Sequence, residues 1–167
     1  MNSLATLLIT MHAIALDPTP VSTNVPVLEK TMTGANLVFE GIPDFWKVRY
    51  NITPGTPTGS KRAQTVFIRK AAHDYNSLLV HEAFGLIYDS PTPPSDALMI
   101  ETMSRRFSIG GIVYEVPSAT QKNYRFRFKF DLPQDTQGPT LREYLEIIAA
   151  TADDLEVKLN PGSGDVQ

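Results

Sequence analysis

Histidine is the side chain best suited to moving protons or holding a metal near neutral pH. The chain has three, His12, His73 and His81. His81 stands in VHEAFG beside Glu82, but the second histidine of a zinc-protease helix is missing. His73 and His81 are eight residues apart and would share a face if the segment between them were helical. Zinc asks for four ligands, and no third protein ligand falls into step with this pair. Both histidines therefore read as surface or core-edge residues. Asp153, Asp154 and Glu156 could pair carboxylates for acid–base work, yet no polar partner accompanies them, so they read as a solvated acidic corner. Gly55, Gly59 and Ser60-Lys61 have the composition of a phosphate loop without its spacing, and neither GxSxG nor GxGxxG occurs. The absence of cysteine excludes disulfides, thiol nucleophiles and cysteine-based metal centres. No catalytic residue, metal ligand or cofactor site is assigned on these grounds, and the chain is expected to act without enzymatic chemistry.

Charge carries more information. Formal net charge is only −3, but its distribution is bipolar. Residues 44–70 hold six basic residues, Lys47, Arg49, Lys61, Arg62, Arg69 and Lys70, against Asp44 alone. Residues 133–167 hold two basic and seven acidic residues. The basic set is expected to form a contact face for phosphates, an anionic membrane surface or a nucleoprotein. Opposite poles would also support head-to-tail self-association. Local neutralisation within the fold is the simpler alternative.

These residues need a scaffold, and 167 residues suffice for one domain. Residues 124–132, YRFRFKFDL, alternate aromatic with charged side chains. That period of two predicts a strand with one buried and one wet face, hence an antiparallel sheet. Such an aromatic row invites comparison with base-stacking RNA-binding sheets. Its four aligned aromatics are instead expected in the core, so direct nucleic-acid binding is not assigned. Further strands are expected over 37–40, 45–52 and 107–116, with a short one over 155–159. Leu79, Val80, Ala83, Phe84 and Ile87 fit one helical face and predict a helix over 76–88, although Val66–Ile68 ahead of it reads equally as a strand. Ser95 is the N-cap of a second helix reaching about Arg106. Thr140 and Glu143 form a capping box for a third. Gly110-Gly111 interrupts a strand pattern and suggests a bulge or a close approach of backbone. The expected fold is thus α+β: a four- to five-stranded antiparallel sheet, three helices mainly on one face, and an extended N-terminal arm. The domain is placed at 37–159 and a flexible tail at 160–167.

Residues 17–36 carry Pro18, Pro20 and Pro26 and read as an extended arm within an N-terminal segment of 1–36. Val25, Val27 and Leu28 are its expected apolar anchors in a groove of a neighbouring copy, making a homo-oligomer. Residues 4–16 are apolar and end near Ala13-Ile14-Ala15, a small-x-small site for signal cleavage after Ala15, but no basic residue precedes them.

The aromatic–basic strand YRFRFKFDL, the capped helix TLREYLEIIAA at 140–150 and the Pro/Thr-rich arm together resemble the layout of small matrix proteins of plant rhabdoviruses. That resemblance implies a structural protein that self-associates beneath an envelope and bridges membrane and nucleocapsid, in cytoplasm or virion. Pro91-Thr92-Pro93-Pro94 approximates the proline-rich budding motif of such proteins, while a strongly basic arm is missing. The alternatives are a secreted effector or binding domain, should residues 1–15 be a signal peptide, and an enzyme of unrecognised type.

Overall fold

A computed structural model describes residues 25–52 and 62–159. In chain order its elements are α1 (Val25–Gly34), β1 (Phe39–Gly41), β2 (Phe45–Ile52), β3 (Arg62–Tyr75), β4 (Leu78–Ser90), α2 (Asp96–Met103), β5 (Gly111–Glu115), β6 (Tyr124–Pro133) and α3 (Gly138–Leu159). The strands form one antiparallel sheet in the order β1-β2-β3-β4-β6-β5. The α+β class and antiparallel sheet stand as expected, but with six strands.

The added strands are β3, from the segment in which Val66–Ile68 read equally as a strand, and β4, from the segment expected as a helix at 76–88. Its Asn76-Ser77 turn joins β3 to β4, with φ of 50° and 68°. Left-handed backbone at both central residues matches the twist of a two-residue hairpin. Asp74 Oδ1 accepts the Ser77 N–H at 2.9 Å and secures the turn. β4 lies between β3 and β6 and is buried on both faces, so its side chains do not alternate in polarity. Apolar residues on both faces, interrupted by His81-Glu82, satisfy helical spacing by coincidence.

The extended arm is also corrected. Residues 25–34 form α1, and Pro26 is tolerated because it lies in the first turn, where backbone N–H groups lack helical partners. Asn36, at φ 53°, closes the helix. Its N–H donates to the Thr33 carbonyl at 3.0 Å and the Leu37 N–H donates to Met32 at 3.0 Å. This pairing is a Schellman stop with asparagine at the left-handed position. Leu28 and Met32, one turn apart, are both fully buried, so residues 25–36 belong to the folded unit rather than to a separate arm.

α2 starts as expected, with Ser95 Oγ accepting the Leu98 N–H at 3.3 Å. α3 begins earlier than expected. Leu141 N–H donates to the Gln137 carbonyl at 2.8 Å, which places Thr140 inside the first turn and leaves the Thr140/Glu143 box unformed. The strand expected at 155–159 is the end of this helix. The buried row Leu141, Leu145, Ile148, Ala152, Leu155 and Leu159 continues without a break, so the sheet contact holds the last turns helical.

α3 and α1 cover one sheet face. Trp46 and Val48 of β2, Val66 and Ile68 of β3, and Phe126 and Phe128 of β6 meet Leu145, Ile148 and Leu28 in one core. Tyr50 packs against that core, and burial first, then Glu146, raises its phenol to about 12 despite Arg142. Gly85 is the point of closest approach. A Cβ there would stand 2.6 Å from Ala152 Cβ, so helix and sheet meet through a missing side chain. Gly85→Ala is expected to cost about 1–3 kcal/mol by forcing α3 outward, read as a lower urea midpoint. Ala152→Gly in the same chain should recover part of that loss.

Candidate functional site

Period-two alternation sends the other half of each strand to the opposite face, away from α1 and α3. β2 contributes Phe45, Lys47 and Arg49; β3 contributes Thr65, Phe67 and Arg69. β4 contributes Glu82, Phe84 and Leu86; β6 contributes Arg125, Arg127 and Lys129. The register puts Lys47 opposite Phe67, Phe67 opposite Phe84 and Phe84 opposite Lys129. Three phenylalanines from three strands therefore meet. Phe67 and Phe84 stack with centroids 5.3 Å apart, and Phe45 meets them edge-on at 6.2 and 5.8 Å.

Cations sit on these rings. The Arg127 guanidinium is 4.4 Å from the Phe84 centroid, Arg69 is 5.0 Å from Phe45, and the Lys47 ammonium is 5.8 Å from Phe67. Such contacts keep aliphatic stems on apolar surface and leave the charges directed outward. A groove of about 650 Å³ lies over this floor and is lined also by Ser118, Thr120 and Gln121 before β6.

The charges of the groove are unevenly satisfied. Glu82 accepts Arg127 Nη1 at 2.9 Å and lies 3.5 Å from Lys129 and 3.8 Å from Arg69. Arg127 also reaches Glu115, and Arg125 holds Asp89 at 2.9 Å. The β4–β6–β5 side is thus a lattice of neutralised pairs. On the β2–β3 side, Lys47 and Arg49 have no carboxylate partner among the described residues. Glu40 of β1 stands opposite Lys47 in the register and borders a hollow with Lys47 and Arg49 without pairing closely with either.

The expected basic face is therefore divided. Lys47, Arg49 and Arg69 share the open face. Arg62 does not; it lies on the helix side, where Nε meets Asp153 at 2.8 Å and Nη2 stands 3.4 Å from Glu156. The solvated acidic corner is corrected for two of its three residues, because Asp153 and Glu156 are 6% and 1% exposed while Asp154 remains exposed. Lys70 sits over the Trp46 ring at 5.8 Å. Lys61 lies outside the described residues. Of the expected anchors, Leu28 is spent in the chain's own core and Val27 is exposed. Val25 opens α1, and its side chain is outside the described ones.

The histidines do not share a face. His73 pairs with Val80 across the hairpin, beside Asp131 at 3.9 Å on the open face. His81 faces the core, 1% exposed, with its ring centroid 6.2 Å from that of Trp46. Its Nδ1 lies 3.0 Å from the Arg69 carbonyl, a contact in which the ring N–H donates. Burial pushes the imidazole below its ordinary value; the Arg69 contact opposes this and His73 adds to it. The folded chain thus binds a proton less readily here than the unfolded chain does. This contribution to stability is full above the ordinary histidine range and is lost as pH falls through it toward the lowered value. His81→Gln should flatten that acid limb in urea titrations taken across the histidine range.

The β6 aromatics are core residues, with Phe126 and Phe128 at 0% and 1% exposure. The aromatic floor lies on the opposite face. Phe45-x-Lys47-x-Arg49 and Phe67-x-Arg69 were its signals in the sequence, but Phe84 was hidden by the helical reading of β4. Among the described residues no three of His, Asp and Glu gather as a metal site, and no described helix is long and apolar enough to cross a membrane. The groove offers cations over an apolar floor, an arrangement that receives anionic groups carried on an apolar surface. Comparison with family models, curated proteins and solved structures finds no match.

Proposed function

We propose that this chain is a non-enzymatic structural protein that self-associates head to tail, the open sheet face of one copy receiving the outer face of α3 from the next. One observation carries the reading: the two faces are complementary. On α3, Glu143, Glu146, Ile147, Ala150 and Asp154 form an exposed stripe at helical spacing. It is acidic at its N-terminal end, through Glu143 and Glu146, and apolar beyond it, where Ile147 is 36% exposed. Lys158 pairs with Asp154, and Arg142 donates to the uncharged Ala35 carbonyl, so the acidity of the stripe rests on Glu143 and Glu146. The groove has the converse pattern, Lys47, Arg49 and Arg69 around Phe45 and Phe67. The lengths agree: residues 143–154 rise about 16 Å along a helix, and β2 to β6 spans about 14 Å of sheet. A sheet covered on one face gains a further layer from its neighbour. A contact between two different surfaces propagates into rings or filaments. A role as matrix-like scaffold between an anionic membrane and a nucleoprotein is the setting this reading suggests, with Lys47 and Arg49 as contact residues at assembly ends.

The test is charge reversal on the full chain. Sedimentation velocity should show concentration-dependent assembly that weakens with salt. Lys47→Glu/Arg49→Glu should abolish it, and so should Glu143→Lys/Glu146→Lys. An equimolar mixture of the two variants should recover a complex, because each supplies the surface the other lacks. A wild type that stays monomeric at every concentration, or a mixture that does not associate, overturns the reading.

A further inference from the structure

We propose a second, isologous contact: β5 pairs antiparallel with β5 of another copy, joining two six-stranded sheets into one. It uses the β5 edge rather than the β2–β3 side of the groove, with Glu115 as the one β5 residue that also lines the groove. β5 is an edge of the sheet, and its outward backbone groups have no backbone or side-chain partner among the described residues. Sheet edges are ordinarily blunted by brevity, lysine, proline or an inward charge. β1 at the far edge has only three residues. β5 has five, GIVYE, without lysine or proline, and Val116 beyond it is 59% exposed.

The strand is self-complementary about Val113. In an antiparallel pairing centred there, Val113 faces its own mate, Ile112 faces Tyr114, and Gly111 faces Glu115. Ile112 and Tyr114 lie on the core face, where Tyr114 packs 4.9 Å from Phe126 between ring centroids, so their pairing extends an existing apolar layer. Glu115 is the only charge in the strand and carries its own counter-ion, Arg127. No like charges stand directly opposite and no unpaired charge enters the junction. Glycine receives that glutamate. A Cβ on Gly111 would meet nothing within 4 Å, and the residue borders a hollow of about 350 Å³ with Tyr75, Gly110, Val113, Lys129 and Asp131. The mate's Glu115 keeps its own Arg127 and needs only the clearance over Gly111, because Lys129 in the hollow already holds Glu82 and Asp131 at 3.5 and 3.3 Å. Gly110 itself cannot carry a side chain, because its φ is 69° and a Cβ would stand 2.5 Å from the Lys129 carbonyl oxygen. The occupant is a second copy, since only an identical strand supplies both halves of this pattern.

Because the chain has no cysteine, single cysteines read the register directly. Directly opposed residues in an antiparallel pair have Cα atoms about 4.5–5.5 Å apart, within disulfide reach. Val113→Cys should convert to a covalent dimer under mild oxidation. Glu115→Cys should not, being about 13 Å from its own mate in this register, but Glu115→Cys mixed with Gly111→Cys should cross-link. Val113→Lys and Val113→Glu should each lose the association and recover it when mixed, with the helix–groove variants leaving the Val113→Cys yield unchanged. Failure of Val113→Cys to cross-link in a chain of native circular dichroism, or cross-linking no faster than Glu115→Cys, overturns the proposal.

Discussion

Phe128→Ala is expected to destabilise the fold by about 3–5 kcal/mol, the range for removing a fully buried aromatic ring. Phe128 is 1% exposed on the helix side of β6. Its cross-strand neighbours are Gly85 on β4 and Ile112 on β5, and its ring centroid lies 4.9 Å from that of Phe107. Gly85 has no side chain to move into the space. On the far side, Gly110, where a Cβ would be 3.0 Å from the Phe128 ring, likewise has no side chain to fill the space. The cavity therefore persists, and the cavity penalty adds to the lost transfer energy. The urea midpoint of Phe128→Ala measures the loss; an unchanged midpoint would mean that the ring is exposed. Phe67→Ala, on the open face, is expected to cost markedly less.

Arg62→Met is expected to cost about 3 kcal/mol, near the low end for stranding buried charge. Arg62 opens β3 and reaches across to α3, where it lies between Asp153 and Glu156. Its side chain is 16% exposed, so some water softens the penalty. Methionine keeps the aliphatic stem and removes the charge, leaving two carboxylates on a buried stretch of helix. The loss should appear as a lower unfolding midpoint. Adding Asp153→Asn should return part of it, since one of the two negative charges is then gone. Additive costs in that pair would mean that Arg62 and Asp153 are not coupled.

Both residues show how far the sequence reaches. Phe128 was legible as core because β6 alternates strictly, and alternation is a local property that survives without knowledge of neighbours. The same holds for β2, whose Trp46 and Val48 point inward, and for Ser95, which caps α2 through bonds confined to four residues. Arg62 was not legible as interior. Its partners lie 91 and 94 positions away, and nothing local distinguishes an arginine that will meet buried carboxylates from one that will meet solvent. It was grouped with Lys47 and Arg49 by sequence proximity, whereas the pleat sends it to the other side of the sheet.

β4 failed for a related reason. Its polarity pattern reports burial on both faces, which is a property of its place between β3 and β6 rather than of its own conformation. The turn that decided it, Asn76-Ser77, lacks the glycine that usually marks such a hairpin. α1 was concealed by Pro26, a residue that blocks a helix interior and suits a helix start.

The sequence by itself determined the α+β class, the antiparallel sheet, the inward aromatic face of β6, the capped α2 and the bipolar charge, because each follows from spacing within a few residues. Tertiary structure alone decided that β4 is a strand and that Leu28 and Arg62 face inward. It also decided that Phe45, Phe67 and Phe84 converge beneath cations on the open face. Convergence is set by strand order and register, and those come from contacts between segments that the linear pattern does not relate.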